Sequence, residues 1–208
     1  MESHIVITEG VEQGTADWQQ LRCGCPTASR FADVLAKGRG GGESVTRRKY
    51  LLSIVAERLT QEVSESYSNA HMDRGKALEA EARDLYSFRT GADVRQVAFI
   101  RNTQIGAGAS PDGLIGDDGM LEIKTRLPEL HLELLLTGGL PSEHKAQVQG
   151  QMMIAGRQWV DYVSYWPKLP LYVIRVERDE EYISLLRASV KVFSDEVNAL
   201  VAQFTEAA

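Results

Sequence analysis

At 208 residues, with 43% hydrophobic and 25% charged residues, the chain is long enough for one well-cored globular domain and short for two. Its first residues, MESHIVITEGVEQG, lack the basic start and apolar run of an export signal, and no stretch approaches the roughly 18 apolar residues of a membrane span; a cytoplasmic, single-domain protein with no membrane partner is expected. The formal charge of −6 counts against a nucleic-acid partner, which normally meets a basic domain.

The distribution of charge softens that objection. Residues 22–49 hold seven basic side chains (Arg22, Arg30, Lys37, Arg39, Arg47, Arg48, Lys49) against two acidic ones, while Asp179, Glu180, Glu181, Asp195, Glu196 and Glu206 crowd the C-terminal end. The expected picture is a basic lobe and an acidic lobe. Cys23 and Cys25 lie too close for an ordinary disulfide, and no second Cys or His pair completes a metal set, so they read as incidental thiols.

In chain order, Thr27 is placed to cap a short helix through Phe31, Val34 and Leu35. The glycine-rich stretch 37–42, bearing Lys37 and Arg39, reads as a flexible loop. From Ser44, Leu51, Leu52, Val55 and Leu59 recur at helical spacing. A third helix is predicted over 73–89, with Leu78, Ala82 and Leu85 as its buried stripe, Glu79 beside them and Gly91 as its stop. The period then changes: runs 96–101, 105–109 and 120–125 predict consecutive strands. A helix capped by Ser142 to about Ala155, strands over 159–166 and 171–177, and a closing amphipathic helix with Ile183, Leu186, Val190, Phe193, Val197 and Leu200 on one face complete the pattern. Helices, then a sheet interrupted by a helix, then a last helix predict a layered α/β (α+β) fold.

Residues 110–124 carry the chemistry. Asp117-Asp118-Gly119 is a strong hairpin signal, so the chain around Asp112 folds back beside Glu122. Side chains alternate along a strand, so Glu122 and Lys124 share one face while Ile123 points the other way. Two carboxylates and an amine on one patch call for a divalent cation, because unpaired carboxylates would repel; oxygen donors favour Mg²⁺ or Mn²⁺ over zinc. Such an ion polarises a phosphoryl oxygen and acidifies a water, and Lys124 would either serve that water or offset charge on the phosphate. An exposed charged pair on a surface hairpin would use the same residues; the apolar Met120, Leu121 and Ile123 around them weigh towards the metal site.

Asp112 followed by Glu122-Ile123-Lys124 fits the PD-(D/E)xK motif. Together with Leu21-Arg22-Cys23-Gly24, Thr27-Ala28-Ser29, Gly75-Lys76, Gly108-Ala109-Ser110-Pro111-Asp112-Gly113 and Ala146-Gln147-Val148-Gln149, it resembles the family of lambda exonuclease and the YqaJ-type viral recombinases, from about Trp18 to Asp179. The resemblance implies a restriction-endonuclease-like core, a central mixed sheet flanked by helices. It implies metal ligands at Asp112, Glu122 and the Ile123 carbonyl, with Glu79 supporting a second ion, and roles at the reacting centre for Lys124 and Gln147. From the residues alone, Glu79 reads more readily as an exposed i, i+4 pair with Arg83, and the stripe His144, Gln147 and Gln151 fits the wet side of a helix.

Arg22, Ser29 and Ser110 match a 5′-phosphate site, a chemistry suited to a guanidinium fork with hydroxyl donors. Arg39 matches a minor-groove arginine and Met72 a wedge that splits base pairs. The function implied is a Mg²⁺-dependent 5′ to 3′ double-strand DNA exonuclease, with two ions and Mn²⁺ as a substitute. Its partners would be duplex DNA ends, further copies of the chain in a ring-shaped homotrimer, and a phage single-strand annealing protein. The alternatives are an endonuclease, a helicase-associated nuclease, or a catalytically silent DNA-binding module.

Overall fold

The structure, a computed structural model, describes residues 4–38, 40, 42, 44–63 and 70–206, apart from the side chains of 70–74 and 76. Helices α1 (Ala16–Arg22), α2 (Phe31–Leu35), α3 (Val45–Thr60) and α4 (Ala70–Thr90) follow an N-terminal strand β1 (Ile5–Thr8) and precede the main β region. Strands β2 (Val94–Arg95), β3 (Phe99–Asn102), β4 (Ala107–Ala109), β5 (Gly113–Ile115) and β6 (Gly119–Lys124) follow. Then come α5 (Pro128–Thr137), α6 (Ser142–Ala155), β7 (Trp159–Ser164), β8 (Tyr172–Glu177) and α7 (Glu180–Glu206). This is the mixed α/β architecture expected from the pattern of periods.

Two sheets form, in the orders β1-β3-β4 and β2-β5-β6-β7-β8. β5 and β6 are an antiparallel hairpin with Gly113 opposite Leu121 and Ile115 opposite Gly119, as Asp117-Asp118-Gly119 predicts. Gly116 sits at φ +51° in the turn, a backbone state that suits glycine. The Arg157 guanidinium closes the turn by donating to the carbonyls of Gly116 at 2.7 Å and Gly119 at 3.0 Å. β6 then pairs parallel with β7, which requires a crossover, supplied by α5 and α6.

β6 is therefore covered on both faces. Met120 joins the core that includes Val148 and Met152 of α6 and Phe193 of α7, while Leu121 and Ile123 pack with Ala82 and Tyr86 of α4. Alternation along the strand leaves Glu122 on the face opposite Ile123, as predicted.

Several expectations change. Thr27 makes no side-chain cap; it precedes a 3-10 turn over Ala28–Arg30 and its hydroxyl is used elsewhere. Ser142 is the first helical residue of α6, with Pro141 at the cap. Ser44 does cap α3, accepting from the Arg47 N–H. The two charged lobes are partly one interface: α3 lies along α7, and Arg47 forms a fork with Glu196, both N···O distances being 2.8 Å.

Candidate active site

Asp112 immediately precedes β5, and its N–H donates to the Leu121 carbonyl at 3.0 Å. Its Oδ2 accepts from the Ile123 N–H at 2.6 Å, which locks the side chain against the edge of β6. A strand residue turns its N–H and C=O to the same side, so the Ile123 carbonyl faces the same edge, beyond the last β5 pair. Glu122, 2% exposed, is held by three donors. Its Oε1 accepts from Gln147 Nε2 at 2.5 Å and lies 2.7 Å from Lys124 Nζ, and its Oε2 accepts from Gln151 Nε2 at 2.5 Å. Gln147 and Gln151 stand one turn apart on α6, so the polar stripe of that helix faces the site and not bulk water.

Electrostatics follow from this crowding. Burial, then the charges of Glu122 and Glu79, push the Asp112 carboxyl well above the usual carboxylate range, against Lys124 and the Ile123 N–H. For Lys124, burial alone would lower the pKa, but Glu122 and Asp112 outweigh it and hold the ammonium above its ordinary value. The Tyr162 hydroxyl, on the β7 residue paired with Glu122, is pushed up to about 12, chiefly by burial. That hydroxyl and Gln151 Oε1 are buried with no hydrogen-bond partner among the described residues. His144 lies beside Tyr162, and burial, with Lys124, lowers its pKa. Glu79 is partly buried and lines a cavity together with Asp112, not the outer face of α4.

Among the described residues no three His, Cys, Asp or Glu side chains form a ready metal cage. The donor set nonetheless fits a hard cation. Mg²⁺ is commonly held by one or two carboxylates with waters and substrate phosphates completing its shell, and Asp112, Glu122 and Glu79 lie close enough for their charges to act on one another.

A second cluster adjoins this one. Arg22, in the last turn of α1, donates from Nη2 to the hydroxyls of Thr27 at 3.3 Å and Ser29 at 3.4 Å. Its guanidinium lies 4.0 Å from the centre of the Trp18 ring, and burial pulls its pKa below the ordinary value. Trp18 Nε1 donates to Ser110 Oγ at 3.1 Å and to the Ala98 carbonyl at 2.9 Å. Trp18 thus joins Arg22 and Ser29 to Ser110, two residues before Asp112.

The structure brings Asp112, Glu122, Ile123, Lys124 and Gln147 to one place, with Glu79 adjoining, and groups Arg22, Ser29 and Ser110. Arg39 lies outside the described residues, as does the side chain of Met72 on α4. Sequence reasoning missed Trp18 and the Thr27 hydroxyl, and it noted Gln151 only as part of a stripe. Spacing could have found Gln151, four residues from Gln147 on the same face; for Trp18 no local signal exists.

Residues 17–158 match the family model of the YqaJ-like viral recombinase domain. The alkaline exonuclease LHK-Exo from Laribacter hongkongensis is 38% identical, with a TM-score of 0.83 over 92% of this chain and 97% of that one; a second structure of it, in complex with dAMP, matches equally. A phage related exonuclease from Haemophilus somnus shares the fold at 13% identity, with a TM-score of 0.64 over 89% of this chain and 99% of that one. A search of the curated proteins finds no significant match. The chain belongs to the YqaJ-like viral recombinase family and is a nuclease.

Proposed function

We propose that this single-domain chain is a Mg²⁺-dependent 5′ to 3′ exonuclease that acts on double-stranded DNA ends. It hydrolyses the 5′-phosphorylated strand to mononucleotides and leaves a 3′ single-stranded tail. The observation that carries the reading is the convergence of Asp112 and Glu122 on adjacent strands, with Lys124 and two α6 amides closing around Glu122.

Asp112, Glu122 and the Ile123 carbonyl would hold one ion, and Glu79 would support a second; Mn²⁺ would substitute. The metal, when bound, polarises a phosphoryl oxygen and acidifies a water. A carboxylate offers about four lone-pair positions; three donors occupy Glu122, so it keeps capacity for an ion without releasing them. Gln147 and Gln151 fix the orientation of that carboxylate. Lys124, with Nζ 2.7 Å from Glu122 Oε1, would orient or deprotonate the attacking water and offset charge on the phosphate.

Arg22, Thr27, Ser29 and Ser110 supply a guanidinium and hydroxyls suited to a terminal phosphate monoester, which carries more charge than an internal diester. This gives a preference for DNA ends. The family resemblance supports a phage or prophage setting in the bacterial cytoplasm, a ring-shaped homotrimer and a single-strand annealing partner. Among the described residues no helix is long and apolar enough to cross a membrane. Digestion of 5′-phosphorylated linear duplex carrying one labelled strand, with and without Mg²⁺, tests the proposal. Release of labelled mononucleotide from 5′ ends only with metal is expected. Nicking of closed circular DNA at a comparable rate would replace it with an endonuclease.

A further inference from the structure

Beside Asp112 opens a cavity of about 500 Å³, lined by Glu12 and Gln13 of the N-terminal segment, Glu79 and Arg83 of α4, and Gln96. That volume suits a nucleotide-sized ligand. Its outline is fixed by Gln13, whose Nε2 donates to the carbonyls of Val97 at 2.8 Å and Pro111 at 2.9 Å. Of the described lining residues, Arg83 is the only cation.

With the Gln96 amide turned so that its oxygen faces the guanidinium, Arg83 donates to it from Nη1 at 2.9 Å and Nη2 at 3.2 Å. The Nε–H is buried and has no hydrogen-bond partner among the described residues. A buried donor without an acceptor is costly and rare; Gln96 takes one N–H from each Nη, so each Nη keeps a second N–H for a phosphate oxygen. The Arg22 group does not line this cavity, so the two arginines serve different places.

We infer that Arg83 is a substrate-binding residue that takes a backbone phosphate of the strand being cut, in the cavity beside Asp112. The inference rests on the nuclease reading above. The carboxylates of Glu12, Glu79 and Asp112 would repel that phosphate until a divalent ion neutralises them, so Arg83 and the ion act on the same strand together.

The test compares wild type, Arg83→Gln and Arg83→Lys on 5′-phosphorylated linear duplex in Mg²⁺, over a range of salt concentrations, with thermal unfolding as the check on folding. Because the contact exists before and during cleavage, Arg83→Gln should raise KM on the order of tenfold with kcat nearly unchanged. Its log–log salt dependence should lose about 0.7–0.9, the share of one phosphate. Arg83→Lys, which keeps the charge but lacks the guanidinium fork, should restore the salt slope and only part of KM. If Arg83 merely balances the carboxylates, Arg83→Gln will move the Mg²⁺ dependence and leave the salt slope intact, which overturns the inference while the nuclease reading stands. A wild-type protein inert on DNA overturns both.

Discussion

Gln151 Nε2 lies 2.5 Å from Glu122 Oε2, and both residues are almost wholly enclosed, at 1% and 2% exposure. A buried carboxylate is tolerable only with donors around it, and here α6 supplies two, from Gln147 and Gln151. On the proposed function, the Gln151 amide orients the carboxylate that would hold the metal, without needing to touch metal or DNA. Gln151→Ala should fold and weaken apparent Mg²⁺ affinity by roughly 10–100-fold, the usual range for a residue that orients a ligand. Titration of activity with Mg²⁺ and calorimetric metal binding both read this; unchanged affinity would remove Gln151 from the role.

Lys124 and Asp112 should separate cleanly. Asp112→Asn should lose metal binding and activity together, because it removes a charged group proposed to hold the ion. Lys124→Ala should keep metal and DNA-end binding but lower kcat by on the order of 10²–10³, the cost of removing a group aimed at charge developing in the transition state. Single-turnover cleavage measures the loss, and turnover by Lys124→Ala close to that of wild type would refute the role.

Much of this arrangement was legible in the sequence, for reasons that can be named. Asp117-Asp118-Gly119 has one good local solution, a turn, and strand alternation then places Glu122 and Lys124 together. α7 was legible because Ile183, Leu186, Val190, Phe193 and Val197 repeat at helical spacing, and all are buried. α1 was not: none of its residues is buried, so it has no apolar stripe, although Thr15 caps it. β1 and the two-residue β2 are too short for a period to show. α5 was overlooked despite Pro128 at its start, a usual helix opening. Nor does helical spacing reveal what a polar stripe faces, so α6 could be read as wet until β6 was seen beneath it. The charged lobes were misread because Arg47 finds Glu196 149 positions away.

Arg22→Ala should erase most of the preference for 5′-phosphorylated over 5′-hydroxyl ends. The guanidinium is already fixed by Trp18 below and two hydroxyls beside it, so little ordering remains to oppose binding. Initial rates on the two kinds of end give the ratio, and a ratio equal to that of wild type would exclude Arg22 from the phosphate site.

The Arg47–Glu196 fork bears on stability, not on chemistry. Its geometry is bidentate, but Glu196 is 41% exposed, and pairs open to solvent contribute little. A double-mutant cycle with Arg47→Ala and Glu196→Ala should give a coupling of about 0.2–1 kcal/mol that shrinks with added salt. A coupling of zero would mean that this pair contributes nothing to holding α3 against α7, which Arg58 also joins through Asn198.

Asp112 also links metal to pH. In the metal-free protein, burial and the charges of Glu122 and Glu79 hold its pKa well above the ordinary value, whereas in the unfolded chain it ionises near about pH 4. Between those values the folded state holds the extra proton. The corresponding contribution to stability is fully present below about pH 4 and is lost as pH rises through the folded value. Asp112→Asn carries no such charge, so the metal-free variant should melt above wild type at about pH 8, and the gap should close as pH falls. Mg²⁺ should then raise the wild-type Tm and move the variant far less, because the variant has lost a charged ligand. Groups remote from Asp112 are common to both proteins and cancel in the difference, whereas Lys124, whose pKa Asp112 raises, shifts with it. A gap that does not vary with pH in the metal-free state would mean that Asp112 is neither crowded by its neighbours nor short of a counter-ion.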